Sequence, residues 1–533
     1  MIKSTASTRR AQAIQAKRGQ LQDQQGQSGG VQAFGGVGGD GGPRSALNTR
    51  WAARPRSANA DTVRALPRQR AESRELVRSH PIAAGAVETN VNRVVGTGLV
   101  PVPMPDAELL GMSPAERAAW CATLAREWAM WSDSTECIHG GDGNETFYLY
   151  QRMALEARLV SGDCITLLPD AASPTPTMPY RLRLQMIEAD RLGNPSGQVD
   201  TDDITQGVML RDGQPSAYYI YDRHPGSATT GGADKYAGRW VDRVGSNGRR
   251  NVLHHLRRHR PEQSRGVPYL ATVQQAIKDL GRYTEAEITA AVISAYYTVF
   301  VTRAPTAGGP PIDGMSPASA GDVPAPGPEM ALDVGAIVGL ADGEDVKFAD
   351  PNRPNAAYAD FVRAMYGEIA VGLHMPRSLL LKVFDASYSA SRAELLDAWQ
   401  NFRAERQWLQ ISLCQPVYET WLAEAVALGR IVAPGFFDDP LIRWAYCRAD
   451  WYGDSQGSLN PKDEVAAYSA AIDARLMTYE RAEWELFGTS WAATFGQKTR
   501  ELESMRTAGI MPAPKAGAAV APATSPAPAG ATA

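Results

Sequence analysis

The chain has 533 residues, a formal net charge of −4, 44% hydrophobic residues and 21% charged residues. This composition builds a buried core, its length suggests roughly three to four domains, and its charge excludes a generally basic, nucleic-acid-gripping protein. The five cysteines form no CxxC pair and are odd in number, which argues for a reducing compartment and against a disulfide framework or a zinc ribbon. No run of 18 apolar residues is present, so no membrane span is expected, and the N-terminus lacks the apolar stretch of a secretory signal.

The charge is uneven. Residues 1–60 carry nine Lys/Arg against Asp23 and Asp40, a net of +7 that leaves −11 for the rest. They are rich in Gln, Gly, Ala and Arg, bury too little to offset ordering entropy, and are expected to form a disordered basic arm. The Ala/Pro tail over 509–533 reads the same way, and Arg303 to Glu329 reads as a long internal loop.

Helices come first. Thr62–Leu66 is expected to break at Pro67, and Glu72–Val77 is followed by Pro81. Ala84–Val95 places Val87, Val91, Val94 and Val95 on one face and ends at a Gly96-Thr97-Gly98 C-cap. Residues 114–132 form an amphipathic helix capped by Ser113 with Pro114 at its first position, and Leu149–Val160 is another. From 163 to 260 the pattern is strand-like: Cys164–Leu168, Tyr180–Ile187, Gly207–Leu210, Ala217–Ile220 and Asn251–Leu256, with Asp212-Gly213 as a hairpin turn.

Two long helical patterns follow, Leu270–Val301, which would span about 45 Å, and Asn355–Leu373, with short β-like runs between Ala331 and Phe348. A polar turn covers Asp385 to Ser391. The longest helix is expected from Arg392 to Leu428, with the stripe Leu395, Trp399, Phe402, Leu409, Leu413, Val417, Trp421, Ala425 and Leu428, and a kink at Pro416. Shorter helices are expected at Val465–Ile472 and Thr478–Glu485. The fold class is therefore α+β with disordered termini.

No catalytic constellation emerges. In the run Asn251 to Arg260, His254 and His255 are neighbours on a strand and point to opposite faces, so they suit a solvated strand edge or subunit contact better than a metal. Gly96-Thr97-Gly98 and Gly140-Gly141-Asp142-Gly143 match neither a dinucleotide fingerprint nor a P-loop, and Asp142-Gly143-Asn144 lacks the Glu that would complete a calcium loop. Ser387-Tyr388-Ser389-Ala390-Ser391 has no nucleophile-elbow or S-x-x-K context and reads as a polar loop, ending in a capping box of Ser391 with Glu394. The aromatics at 399, 402, 408, 421, 436, 437, 444 and 451 suit a helical core better than base-stacking platforms. Neither an enzyme nor a cofactor is indicated. A large chain of this kind reads as an assembly component.

An ordered set of segments then carries a resemblance: Arg74-Glu75-Leu76-Val77-Arg78 with Asn90 to Gly98, Arg257 to Pro268 leading into the first long helix, Leu373-His374-Met375-Pro376, Ser387 to Arg392, and Trp421-Leu422-Ala423-Glu424-Ala425. Over roughly residues 60–500 the chain resembles the lambda-type family of tailed-phage portal proteins. The resemblance implies a ring, usually of about twelve subunits, at one capsid vertex. Terminase pumps double-stranded DNA in through such a ring, and the DNA leaves through it into the tail. The implied divisions are a wing (61–265), a first stem helix (266–302), a clip with a Pro/Gly-rich loop (303–352) and a second stem helix (353–376). A tunnel loop (377–391), a long kinked wing helix (392–430), a wing return segment (431–460) and crown helices (461–508) follow. The implied DNA-channel residues are Lys382, Asp385, Ser387, Tyr388, Ser389, Ser391 and Arg392, with Lys382 and Arg392 as transient phosphate contacts. The implied partners are terminase large subunit, major capsid and scaffold proteins, neck and head-completion proteins and the DNA itself. The implied location is the virion of a phage or prophage, after assembly in the host bacterial cytoplasm. The alternative is a non-ring DNA-binding or scaffolding protein that uses the basic N-terminal arm. A DNA-processing enzyme would need a Walker motif or clustered metal carboxylates, and neither is found.

Overall fold

The computed structural model describes residues 55–141, 143–229, 232–296, 300–303, 344–347, 358–384, 387–455, 461–489 and 491–510. Residues 1–54 of the expected disordered arm (1–60), residues from 511 of the expected tail (509–533), and the loop from Arg303 to Glu329 apart from Arg303 itself lie outside the described residues. Residues 58–60, expected to be disordered, instead open a helix capped by Ser57, whose hydroxyl accepts from the Ala60 N–H.

Proline opens the N-terminal helices rather than breaking them. After a short α1 (Ala58–Thr62), α2 (Leu66–Ser79) and α3 (Pro81–Val94) each carry proline in the first turn, where its missing N–H costs no hydrogen bond. The expected break at Pro67 is thus a helix start. Val87, Val91, Val94 and Val95 are buried as their spacing requires, and the Gly96 N–H closes α3 on the Val91 carbonyl. Strand β1 (Val100–Pro103) leads to α4 (Pro114–Ser132), whose capping box pairs Ser113 with Glu116, and then to α5 (Phe147–Ser161).

Three strands pack beneath these helices in the antiparallel order β3-β2-β8: β2 (Asp163–Leu167), β3 (Gln185–Glu188) and β8 (Val252–Leu256). Every residue of the central strand β2 is buried. A second sheet is an antiparallel meander of β4 (Ile204–Thr205), β5 (Val208–Arg211), β6 (Gln214–Tyr221) and β7 (Gly238–Asp242). Its β5–β6 turn is Asp212-Gly213, with φ of 53° and 73°, the left-handed pair that a tight hairpin needs. Val208, Tyr218 and Ile220 pack onto Ile165, Ile187 and Val252 of the first sheet.

The first long helix, α6 (Gln274–Tyr296), is shorter than expected, 23 residues or about 35 Å. It starts after a 3₁₀ turn at Tyr269–Thr272 and stops before a β-branched and aromatic run, Val299-Phe300-Val301-Thr302. Part of that run forms β9 (Phe300–Arg303), antiparallel to β10 (Glu344–Lys347). Helix α7 (Tyr358–Gly372) returns beside α6, with Tyr283 stacked on Tyr358 at 5.7 Å and edge-on to Phe361 at 4.8 Å.

The longest helix runs as α9 (Tyr388–Leu409), a π turn (Gln410–Cys414) and α10 (Gln415–Ala427). The distortion expected at Pro416 takes the form of this π turn one step upstream: the helix widens by one residue where proline supplies no donor. Then come α11 (Pro440–Cys447) and β11 (Ala449–Tyr452), which pairs with β1 although the register partners Pro103 and Ala449 are 346 positions apart. Helices α12 (Pro461–Asp473), α13 (Tyr479–Phe487) and α14 (Trp491–Thr507) end the described chain. The main core centres on Trp128, whose ring lies 5.1 to 6.0 Å from those of Trp131, Phe147, Tyr418, Trp421 and Trp451. Of the eight aromatics read as core, Phe402, Trp421, Phe436 and Trp451 are buried and Trp399 and Trp408 pack against the core; Phe437 and Trp444 are exposed, a correction to that reading.

Candidate channel segment and its anchors

The segment 377–391, implied as a tunnel loop and holding the expected polar turn Asp385 to Ser391, contains two helix ends. Helix α8 (Arg377–Leu381) buries Leu379 and Leu380 and closes at Lys382, which adopts φ 56° while the Val383 N–H bonds back to the Ser378 carbonyl. Lys382 is exposed, at the end of a helix where a cation suits the partial negative charge of the carbonyls. Val383 and Phe384 follow, 48% and 53% exposed. Sequence reasoning considered only polar side chains here and missed this apolar tip, although Val-Phe between Lys382 and Asp385 was visible. Asp385 lies outside the described residues, as does the Tyr388 side chain.

Ser387, not Ser391, caps α9: its hydroxyl accepts from the Ala390 N–H at 3.5 Å, so the helix begins a turn earlier than expected. Ser389 is exposed, Ser391 half-buried and Arg392 exposed within the helix, and Arg392 lies 4.0 Å from Glu464 of α12. Glu394, the expected capping partner of Ser391, instead accepts a hydrogen bond from Ser378. That bond ties α8 to α9 across the connection. Among the described side chains of α9, Ala398 is the first buried one, and the turns before it are mostly exposed.

What positions this segment is a set of buried charges further down α9. Glu405 accepts from Arg158 of α5 and, at 2.5 Å, from Arg257 just past β8. The Arg158 guanidinium lies 4.5 Å from the Trp408 ring, and the Trp408 indole donates to the Leu256 carbonyl at 3.2 Å. Arg406 donates to the carbonyls of Val94, Arg93 and Asp454. The helix is therefore clamped from Ala398 onward, while before it Leu395 packs half-buried against the core and Glu394 bonds Ser378.

A second charged hub orders the approach to α6. Asp163, fully buried at the start of β2, accepts from Arg70 at 2.5 Å, Arg265 at 2.7 and 3.3 Å, the Gly266 N–H at 3.0 Å and His254 at 3.3 Å. Burial opposes ionisation, but the two guanidiniums overcome it and hold the Asp163 carboxyl well below its usual range. His255, on the opposite face of β8, meets Thr166 at 2.8 Å, and burial pushes its pKa down to about 3. The expected opposition of His254 and His255 holds, but the expected solvated edge does not: both imidazoles are interior. Among the described residues, no three His, Cys, Asp or Glu side chains are grouped to hold a metal ion, and no helix is long and apolar enough to cross a membrane.

The model of the family described as phage portal protein, lambda family, matches residues 44–406, a span holding both charged hubs and the whole 377–392 segment. The chain belongs to the lambda family of phage portal proteins. This places it among the portal proteins of the phage head–tail connector. Portal protein B of Escherichia phage lambda is 23% identical over 490 residues, covering 88% of this chain and 90% of that protein. The portal protein of Escherichia phage N15 is 24% identical over 487 residues, with the same coverage of each. Among solved structures, the chain is similar to one from the neck of a native gene transfer agent particle computed with C12 symmetry. That match has a TM-score of 0.39 and 15% identity, covering 77% of this chain and 92% of that one. It is also similar to an HK97 family phage portal protein from Corynebacterium diphtheriae, with a TM-score of 0.28 and 12% identity, covering 59% and 93%.

Proposed function

We propose that copies of this chain form a ring at one vertex of a phage capsid, and that double-stranded DNA is packaged and later released through the ring's bore. The observation that carries this is the family match over 44–406, spanning the helix pair α6 and α7 and the mostly exposed start of α9. That helix pair leaves Ile288, Val292, Phe361 and Val371 46% to 77% exposed, a face that a neighbouring copy in a ring would cover.

In this reading residues 61–265 form the wing, 266–302 and 353–376 the stem and 303–352 the clip. Residues 377–391 reach the bore, 392–430 and 431–460 complete the wing, and 461–508 form the crown. Terminase and head-completion proteins would meet the clip, and the capsid the wing. The segment 377–392 suits a moving polyanion. Lys382 and Arg392, the latter 4.0 Å from Glu464, offer sparse positive charge while Ser387 and Ser389 offer neutral hydroxyls, and each phosphate held by a cation adds affinity that opposes sliding. The chain itself performs no covalent step; it shapes a passage through which a separate motor moves DNA.

The test is native mass with top-view imaging of the purified protein. A ring with a central hole near 0.69 MDa, about twelve times 57.5 kDa, is expected. A monomer or dimer at every salt concentration would overturn the reading in favour of a non-ring protein that binds DNA through its basic arm. In rings, Lys382→Ala with Arg392→Ala is expected to leave assembly intact and lower packaged DNA per particle less than tenfold, as measured by nuclease-protected DNA.

A further inference from the structure

Helix α14 lies beyond the span of the family match. Its sequence places Trp491, Phe495, Lys498, Leu502 and Met505 at steps of 4, 3, 4 and 3, the spacing that keeps a stripe facing a neighbouring helix. Helix α13 meets only Trp491 and Lys498 of that stripe, and Phe495 between them is 53% exposed. Trp491 stacks on Tyr479 at 5.1 Å, while Lys498 and Thr494 bond the buried Glu483 carboxylate. From Arg500 to Ile510 every residue is exposed, including Leu502 at 47% and Met505 at 39%. The chain's own tail is a poor cover: residues 511–533 hold only Met511 and Val520 as large apolar side chains.

Glu501 and Arg506 flank the uncovered half of the stripe on opposite sides, five residues apart. In parallel neighbouring helices with this spacing, such flanking positions meet across the seam, the acid of one beside the base of the next. A ring supplies the parallel arrangement. In a ring of about twelve, symmetry rotates each copy by about 30°, so any helix crosses its neighbour's copy at no more than that angle, within reach of the roughly 20° packing class.

We infer that the outer half of α14 packs against α14 of the adjacent copy, with Leu502 and Met505 in the seam and Glu501 of one copy beside Arg506 of the next. The inference rests on the ring proposed above. It adds an intersubunit contact in the C-terminal helices, and the contact is heterologous: each copy gives Glu501 to one neighbour and Arg506 to the other.

The test uses the full-length chain carrying both Glu501→Cys and Arg506→Cys, treated with a short bismaleimide. Four of the five natural cysteines are buried, and the unsubstituted ring controls for half-buried Cys121. A covalent ladder extending beyond dimer on a denaturing gel is expected; either single variant alone should run as monomer. Rings visible by imaging that yield only monomer after treatment would overturn the contact while leaving the ring reading intact, whereas absence of rings would overturn both. As a second measurement, Leu502→Glu with Met505→Glu, both at exposed positions, is expected to lower the guanidinium concentration at which rings dissociate. An unchanged midpoint would overturn the inference.

Discussion

Asp163 shows how one buried charge organises several elements. Its carboxylate joins α2 through Arg70, β8 through His254 and the start of α6 through Arg265 and Gly266. Removing it leaves two buried guanidiniums facing each other with Asp190, 3.8 Å from Arg70, as the remaining nearby carboxylate, so Asp163→Asn is expected to destabilise the monomer by about 3–5 kcal/mol. A shift in the urea unfolding midpoint measures this. Two nearby groups make stability fall with acid. His255 is buried neutral with a pKa of about 3, whereas in the unfolded chain it takes up a proton near pH 6.5. Its contribution is therefore complete above pH 6.5 and lost progressively as pH falls toward 3. Asp163, with a folded pKa depressed below its ordinary range, adds a further loss below about pH 4. Melting temperature against pH should decline across this window, and His255→Gln should flatten the decline between pH 6.5 and 4.

Among the elements, the longest helix divides into a firmly held part and a mostly exposed part. Glu405, Arg406, Trp408 and Gln410 tie its middle to α5, α3, β8 and β11, while the turns before Ala398 have solvent on most sides. Ser378 and Glu394 provide the hydrogen bond that links α8 to this exposed end. Ser378→Ala is expected to quicken tryptic cleavage after Lys382 at least threefold without moving the melting temperature by more than about 2 °C, since one part-exposed hydrogen bond contributes roughly 1 kcal/mol. The π turn before Pro416 shows a different solution to local conflict. The helix absorbs a missing donor by widening, so Trp421, Leu422 and Ala425 stay in the core beyond it.

For the whole molecule, the cluster around Trp128 joins α4, α5, α10 and β11, parts of the chain separated by some three hundred residues. Trp421→Ala removes a fully buried side chain from that junction and is expected to cost about 3–5 kcal/mol, read as a fall in the midpoint of cooperative unfolding. By contrast, the apolar residues left exposed on α6, α7 and α14 contribute little to the isolated chain. In the proposed ring other copies would bury them, so an assembled ring is expected to unfold at a higher temperature than dilute monomer, with a concentration-dependent midpoint in calorimetry.

Local rules were readable in the order of residues alone. The valine face of α3, the Ser113 cap, the Asp212-Gly213 hairpin and the stripe of the longest helix as far as Ala425 each depend on neighbours within a few positions, where backbone geometry sets the outcome. Leu428, the expected last member of that stripe, lies past the helix and is exposed. The ordered segments from Arg74 to Ala425 likewise carried the family. The pairing of β1 with β11, the convergence of Arg70, His254 and Arg265 on Asp163, and the burial of both histidines depend on contacts between distant parts of the chain. No periodicity encodes them. The 377–391 segment sits between these cases. Its serines and charges were visible, but whether Ser387 or Ser391 caps the helix, and whether Glu394 turns to its own helix or to Ser378, was decided by the packing of α8 against α9. A short polar run permits several caps of similar energy, and only the tertiary contact chooses among them.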